Sequence, residues 1–275
     1  SVSEEASDDS EGAESNSKNS NIVNGIPNVE NEIIDETQEK LSKYEKQYQS
    51  LEMRYASLKE KYTDIEDYSS WQEDTIPANK ITLVNNGTHA GPKTPLVLQT
   101  IRYLAKNADN VTIQTPYVIC NGYMYDTLNE IASHAQLKII LNAVEKGSNP
   151  WGCTDYLNQK KKILNTGADV YELMNEVPVH TKAVLLDERL SIVGSYNLDM
   201  RSTYLDTELM LVIDSKELNQ QIQSTEGTYI EKSKEVLSNG QETEGAQYET
   251  KVLNWQKKLF YGVLRIIIRP LRQLL

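Results

Sequence analysis

The sequence predicts an α/β domain, with a mixed sheet flanked by helices, and two observations predict it. Short apolar runs suited to strands alternate with helix-length segments between residues 81 and 173. That order is typical of parallel strands joined by helical crossovers. Two further apolar runs, at 179–186 and 190–193, flank the polar turn Asp187-Glu188-Arg189 and predict a hairpin, and a last strand is expected at 209–213.

The elements ahead of the hairpin follow from local signals. Thr94 as N-cap and Pro95 at the first helical position predict a helix to about residue 107. The remaining elements are predicted as strand 81–85, strand 111–115, helix 123–133, strand 137–142, helix 154–165 and strand 170–173. The segment after the last strand, 216–250, is predicted as a polar helix to about residue 237 and then a linker. The α/β core therefore spans 78–215.

The N-terminal segments differ from the core in composition. Residues 1–40 hold eleven acidic residues and two lysines, and residues 1–29, almost without apolar content, are predicted to be a disordered acidic linker. Residues 30–70 are predicted to be one long helix, because apolar side chains recur there at spacings of three and four. Those side chains are Leu41, Tyr44, Tyr48, Leu51, Tyr55, Leu58, Tyr62 and Ile65. Such a coiled-coil pattern needs a partner; packing within the chain is favoured, and a missing half or a second copy stays open.

The C-terminal segment, 251–275, carries six Lys or Arg residues and no acid, interleaved with Trp255, Phe260 and a run of isoleucines. This pattern predicts a basic amphipathic helix that lies on an anionic membrane surface, and docking against a missing half is the alternative. We expect the core to stay folded without this tail, because a polar linker precedes it.

Length and composition limit the remaining possibilities. The chain has 275 residues, 39% of them hydrophobic, which suffices for one α/β domain with appendages. Its two cysteines, Cys120 and Cys153, lack metal-ligand spacing and are expected to be buried and reduced. No transmembrane run is expected. The start at Ser1, with no Met, predicts a fragment or a processed chain.

The residues that indicate a function lie at the mouth of the predicted hairpin. His180 and Lys182 are two residues apart, so on a strand they would share one face, while Ser195 and Asn197 return to the same end. A neutral imidazole can attack phosphorus and later leave, and the other three side chains could hold phosphate oxygens. Glu208 could accept a hydrogen bond from the second imidazole nitrogen.

The string His180-x-Lys182-x4-Asp187-x6-Gly194-Ser195-x-Asn197, followed by Glu208, resembles the signature of the phospholipase D superfamily. The continuation to Glu208 is most similar to the second motif of bacterial cardiolipin synthases. The resemblance covers roughly residues 80–215. It implies one half of a bilobed phospholipase D-type fold, with His180 as nucleophile or acid/base, phosphate held by Lys182 and Asn197, Glu208 supporting the histidine, and Asp187 as a structural acid of the motif.

The chain departs from this family because it holds one such motif, whereas active members use two. The other histidines, His89 and His134, have no lysine two residues on. The resemblance implies phosphatidyl transfer between phospholipids without a metal or other cofactor. The expected partners are a phospholipid, the cytoplasmic surface of the inner membrane, and either the missing first-motif half or a second copy. A homodimeric nuclease and a non-catalytic binding module stay open, although the basic residues cluster with apolar ones and not around the motif, so nucleic acid is not expected.

Two loops at predicted strand ends are weaker candidates for the site. Thr115-Pro116-Tyr117 and Gly147-Ser148-Asn149-Pro150 each follow a strand, where ligands of α/β sheets gather. The alternative is that the two prolines only end the strands.

Overall fold

The structure is a computed structural model that describes residues 27–272, except 65, 68, 70–72 and 74. The chain divides into two compact units, residues 1–74 and 75–275. Residues 1–26, which hold most of the predicted linker, lie outside the described residues.

The first unit contains one long helix, α1, at Pro27–Lys61. The prediction of a long helix is correct, but the helix ends at Lys61 instead of continuing to residue 70. The described side chains of its apolar stripe are exposed, from Leu41 to Tyr62. The identity of the surface that covers this stripe stays a prediction.

The second unit is an α/β domain built on a large mixed sheet. Its strands are β1 Lys80–Asn85, β2 Asn110–Gln114, β3 Val118–Ile119, β4 Gln136–Asn142, β5 Asp169–Leu173, β6 Ala183–Leu186, β7 Leu190–Gly194, β8 Leu198–Asp199, β9 Leu209–Asp214, β10 Ser233–Val236 and β11 Glu242–Glu244. Its helices are α2 Leu96–Ala105, α3 Gly122–Ala132, α4 Pro150–Leu164, α5 Met200–Tyr204, α6 Lys216–Glu231 and α7 Trp255–Leu271.

The large sheet has the strand order β1-β9-β7-β6-β2-β4-β5-β10-β11. Strands β2, β4 and β5 are parallel and are joined by α3 and α4, as the alternating pattern predicts. The remaining neighbours pair antiparallel, including the predicted hairpin β6–β7. Apolar residues of the central strands and of α2 to α4 fill the core, among them Ile139, Leu128 and Ile163. The fold is therefore the predicted mixed sheet flanked by helices.

Several predicted helix boundaries need correction. The N-cap of α2 is Pro95 and not Thr94, and the side chain of Asn86 accepts the hydrogen bond from the amide of Val97. Helix α4 begins at Pro150 instead of Thr154, because Asn149 accepts hydrogen bonds from the first-turn amides and Pro150 occupies a first-turn position, where it needs no amide.

The segment after β9 was only partly predicted. Helix α6 ends at Glu231, and the hairpin β10–β11 replaces the rest of the predicted helix and part of the linker. Both strands are highly charged, so neither shows an apolar alternation. Ion pairs stabilise them instead: Lys234 lies 3.2 Å from Glu172 of β5 and 3.5 Å from Glu242 of β11.

The C-terminal helix α7 is part of this unit and packs on α4. Tyr261, Leu264 and Ile268 are buried on its inner face. At its end Arg272 donates to the buried carboxylate of Asp155, at 2.6 Å and 3.1 Å, and to the backbone oxygen of Cys120. The expectation that this segment can be removed without harm to the core is therefore wrong, because removal would uncover apolar core and leave Asp155 without its cation.

Two smaller expectations can be compared with the structure. Cys120 and Cys153 are both free and buried, as predicted. Within the part of the chain that the structure describes, no helix is both long enough and apolar enough to cross a membrane.

Candidate active site

The predicted site lies at the open end of the β6–β7 hairpin. Ala183 pairs with Val193, so the residues before β6 and those after β7 emerge at the same end of the sheet. His180 and Lys182 come directly before β6, while Ser195 and Asn197 follow β7. The strand begins at Ala183 and not at Val179, because the backbone amide and carbonyl of Val179 bond to the side chain of Asn142 instead of to a strand.

His180 and Lys182 are in direct contact. Nζ of Lys182 lies 2.6 Å from Nδ1 of His180 and donates to the backbone oxygen of His180 at 2.6 Å. Partial burial, and then the charge of Lys182, lower the pKa of His180 below its usual 6.5. The imidazole is therefore neutral at neutral pH, which is the form that can act as a nucleophile.

Lys182 contacts His180 and also lies within electrostatic range of two carboxylates. Its side chain is buried, which lowers its pKa, while the charges of Glu208 and Asp199 act in the opposite direction. An ammonium with acids nearby is a suitable partner for a phosphate oxygen. The hydrogen bond to the backbone oxygen of His180 holds the Lys182 ammonium in place without a ligand.

Glu208 is placed differently from the prediction. It directly precedes β9, whose first residues pair with the end of β7, so its carboxylate lies beside Ser195 and accepts a hydrogen bond from Oγ. The Ser195 hydroxyl also accepts from the amide of Leu209 at 3.0 Å. The predicted hydrogen bond from His180 to Glu208 is not formed among the described residues. Glu208 is hydrogen-bonded to Ser195, and its charge acts on Lys182, which contacts His180.

The two ends of the Asn197 amide have different environments. Nδ2 donates to Oγ of Ser202 at 3.1 Å. Oδ1 is buried and has no hydrogen-bond partner within the described chain. Because an amide oxygen only accepts hydrogen bonds, any contact of Asn197 with a phosphate oxygen would have to come from Nδ2.

Asp187 lies at the other end of β6, five residues from Lys182 and roughly 17 Å along an extended strand. Its Oδ1 accepts hydrogen bonds from the amides of Asp109 and Asn110, at 3.0 Å and 2.9 Å, and so holds the start of β2. Its φ of 50° belongs to the hairpin turn. The hydrogen bonds of Asp187 are therefore structural, which is the role that the resemblance implies for it, and they lie apart from His180.

Sequence reasoning did not identify Asp199 as a residue of this site. Burial raises its pKa to about 6, against hydrogen bonds from Ser202 that lower it. Its Oδ1 accepts from the amide of Ser202 at 2.5 Å and caps α5. The spacing Asp199-x-x-Ser202 is an N-cap signal that could have located the helix, but nothing in the sequence placed the carboxylate near Lys182.

The two loops at strand ends have different roles. Thr115 accepts a hydrogen bond from the amide of Leu198, and the Tyr117 ring lies within electrostatic reach of Asp199 and Glu208, so the first loop borders the site. Asn149 of the second loop caps α4. His134 and His89 bond to the backbone oxygens of Ala105 and Pro92, apart from the motif.

The described residues contain no group of three or more His, Cys, Asp or Glu side chains arranged to hold a metal ion. What the site offers chemically is a neutral imidazole beside a buried ammonium, with a hydroxyl and an amide at the same hairpin mouth. This arrangement on a mixed sheet matches the site that the resemblance to the phospholipase D superfamily implies.

Residues 100–225 match the family model described as the PLD-like domain of cardiolipin synthase. This segment, a little under half of the chain, is thus similar to the phospholipase D-like domain of that family. It is 27% identical over 169 residues to Cardiolipin synthase A of Buchnera aphidicola, a match that covers 60% of this chain and 32% of that protein. It is 30% identical over 142 residues to Cardiolipin synthase A of Klebsiella pneumoniae, covering 50% and 27%. The chain thus spans about a third or less of these relatives.

Solved structures similar to the chain include the phospholipase D family member Nuc from Salmonella typhimurium. Its TM-score is 0.46 at 12% identity, covering 60% of this chain and all of that one. Phosphatidylserine synthase of Haemophilus influenzae gives a TM-score of 0.48 at 16% identity, covering 71% and 48%.

Proposed function

We propose that this chain is the half of a cardiolipin synthase-like phosphatidyltransferase that forms a phosphohistidine at His180. The observation that carries the proposal is the contact of Lys182 Nζ with His180 Nδ1, 2.6 Å apart, at the hairpin mouth that also presents Ser195 and Asn197. A substrate phosphate would replace the imidazole as the hydrogen-bond partner of the Lys182 ammonium, because an anion binds a cation more strongly than a neutral ring does. That exchange frees the ring for attack.

In the first step an imidazole nitrogen of His180 attacks phosphorus, a P–N bond forms, and the P–O bond to the first alcohol breaks. The departing oxygen takes a proton from the histidine of a second motif. In the second step the hydroxyl of another phospholipid loses its proton to that histidine and attacks phosphorus. A new P–O bond forms as the P–N bond breaks. Lys182, Ser195 and Asn197 would hold the non-bridging oxygens throughout.

The second motif is proposed to come from a first half of the same enzyme or from a second copy of this chain. The long helix α1, with its exposed tyrosine and leucine stripe, is a candidate for holding the two parts together. The proposed location is the cytoplasmic side of the inner membrane. Transfer is expected to need no metal and to continue in EDTA.

The test compares lipid and nucleic-acid phosphodiesters over a dilution series of the chain. Transfer between phosphatidylglycerol molecules is expected when a first half is supplied. The isolated chain should be inactive as a monomer, or show activity that rises with the square of its concentration if two copies share one site. Cleavage of DNA without lipid transfer would instead support the homodimeric nuclease. Activity linear with concentration in a monomeric chain would contradict the need for a second motif.

A further inference from the structure

The C-terminal helix α7 has two apolar faces, and the domain covers only one of them. Tyr261, Leu264 and Ile268 are buried against the core. Successive residues are about 100° apart around a helix, which places four exposed apolar residues opposite the buried side and three more along one flank. That outward face consists of Trp255, Leu259, Phe260, Val263, Ile266, Ile267 and Leu271. Seven large apolar side chains on one exposed helix face are more than a solvated surface needs.

The charged residues of α7 itself are all positive. Residues 251–275 contain six basic residues and no acid, although the whole chain has a net charge of −12. Lys258 and Arg269 lie along one edge of the outward face and Lys257 near the other, and all three are exposed. None of the three forms an ion pair with any residue that the structure describes. Arg265 and Arg272, in contrast, fix the helix to Asn158 and Asp155.

We propose that the outward face of α7 binds the surface of an anionic phospholipid bilayer. An apolar strip edged by free cations matches such a surface, where aliphatic and aromatic side chains insert and basic ones contact lipid phosphates. The charge complementarity favours this occupant over a second copy of the chain, which would bring two positively charged edges together. The helix is clamped to the domain, so it would dock the domain itself and not a flexible tail.

The position of α7 also links this face to the candidate site. The helix packs on α4, and Gly152 in the first turn of α4 lies so close to the Tyr117 ring that a Cβ would clash with it. Tyr117 borders the site through Asp199 and Glu208. Helix α7 is thereby linked to the candidate site through α4 and the Tyr117 ring. The inference concerns binding alone, so it can fail while the proposed chemistry holds.

The test is flotation of the whole chain with vesicles of phosphatidylglycerol and phosphatidylcholine, and with vesicles of phosphatidylcholine alone. We expect binding to the anionic vesicles only, weakened but not abolished by salt, because charge contacts are screened and apolar insertion is not. Trp255→Ser combined with Ile266→Gln should weaken binding about tenfold or more. Lys258→Gln should weaken it about fivefold, and only at low salt.

The matched control is Tyr103→Ser, because Tyr103 on α2 is 70% exposed and Trp255 is 72% exposed. The control should float like the unaltered chain, and all variants should keep its thermal midpoint, since only exposed side chains change. Three results would overturn the inference: no flotation of the unaltered chain, equal flotation of the Trp255 and Ile266 variant, or loss in that variant of a self-association seen without vesicles.

Discussion

The side chain of Asn142 holds both backbone polar groups of Val179, the residue before His180. Oδ1 accepts from the amide of Val179 at 2.9 Å, and Nδ2 donates to its carbonyl at 2.8 Å. Asn142 is itself buried at the carboxyl end of β4. The segment that carries His180 is therefore fixed to the central sheet before regular strand structure begins.

We expect Asn142→Ala to loosen this segment. With both hydrogen bonds gone, amide hydrogen exchange in a peptide covering residues 176–181 should become faster, by tenfold or more if about 1.4 kcal/mol of local protection is lost. The matched control is Asn219→Ala, which removes another buried amide, on helix α6, that donates to the backbone oxygen of Leu190 at 2.8 Å. Similar exchange around His180 in both variants would show that Asn142 does not position the histidine.

A second prediction concerns the clamp between Arg272 and Asp155. Arg272→Met should destabilise the domain by about 3 kcal/mol, because it leaves a buried carboxylate without its cation. Burial already raises the pKa of Asp155 even with Arg272 present. Adding Asp155→Asn should recover part of the loss, since the neutral amide needs no counter-ion. Urea unfolding of the two single variants and the double variant measures this coupling, and strictly additive effects would mean that the two residues do not interact.

A third prediction is that the buried carboxyl of Glu226 on α6 lowers the stability of the folded chain at high pH. This carboxyl is buried, its Oε1 has no partner in the described chain, and burial raises its pKa to about 8 against the opposing charge of Lys138. Asp187 and Glu188 line the same cavity. A carboxyl whose pKa is raised in the folded state favours folding below its usual pKa of 4.5, and that contribution is lost as the pH rises through about 8.

Glu226→Gln does not titrate, so it should unfold at a higher temperature than the unaltered chain at pH 9 and at nearly the same temperature at pH 4. The expected gain at high pH is on the order of 2 kcal/mol. Glu217→Gln, an exposed residue of the same helix, is the control and should have no such effect. A constant difference across the pH range would reject this explanation.

A fourth prediction follows from the contact between Lys182 and His180. The imidazole proton signals of His180 should titrate below pH 6.5, because burial and the ammonium of Lys182 both disfavour the charged ring. His180→Ala identifies the signals. Lys182→Met removes the repulsion and should move the midpoint upwards. A midpoint above 6.5 in the unaltered chain, or none of this movement in the variant, would contradict the electrostatic account of the site.

The motif and the central strands could be predicted because their signals are local. His180 and Lys182 lie two residues apart, and one hairpin returns Ser195 and Asn197 to them, so short-range pattern was enough. Asn142 ends β4 and Asp199 ends β8, and only the folded sheets bring them to the site. The hairpin β10–β11 is polar and held by ion pairs, so it lacks the alternation that marks a strand.

The tail shows a different limit of sequence reasoning. Its apolar residues surround most of the helix, so the pattern predicts an apolar surface but not which part of it the domain covers. Tyr261, Leu264 and Ile268 are buried because the surface of α4 fits them, and that surface is set by residues a hundred positions earlier. The prediction of an amphipathic helix was confirmed, while its separation from the core was not.

The central claim is that His180 is the nucleophile, and the most direct measurement uses bis(4-nitrophenyl) phosphate. Its nitrophenolate leaves without a proton, so the first step needs no second histidine. The chain alone should release up to one equivalent of nitrophenolate, and mass spectrometry should find a nitrophenylphosphoryl group on His180. His134→Ala should behave in the same way, whereas His180→Ala should release none. An equal release by His180→Ala, or an adduct on another residue, would contradict the account.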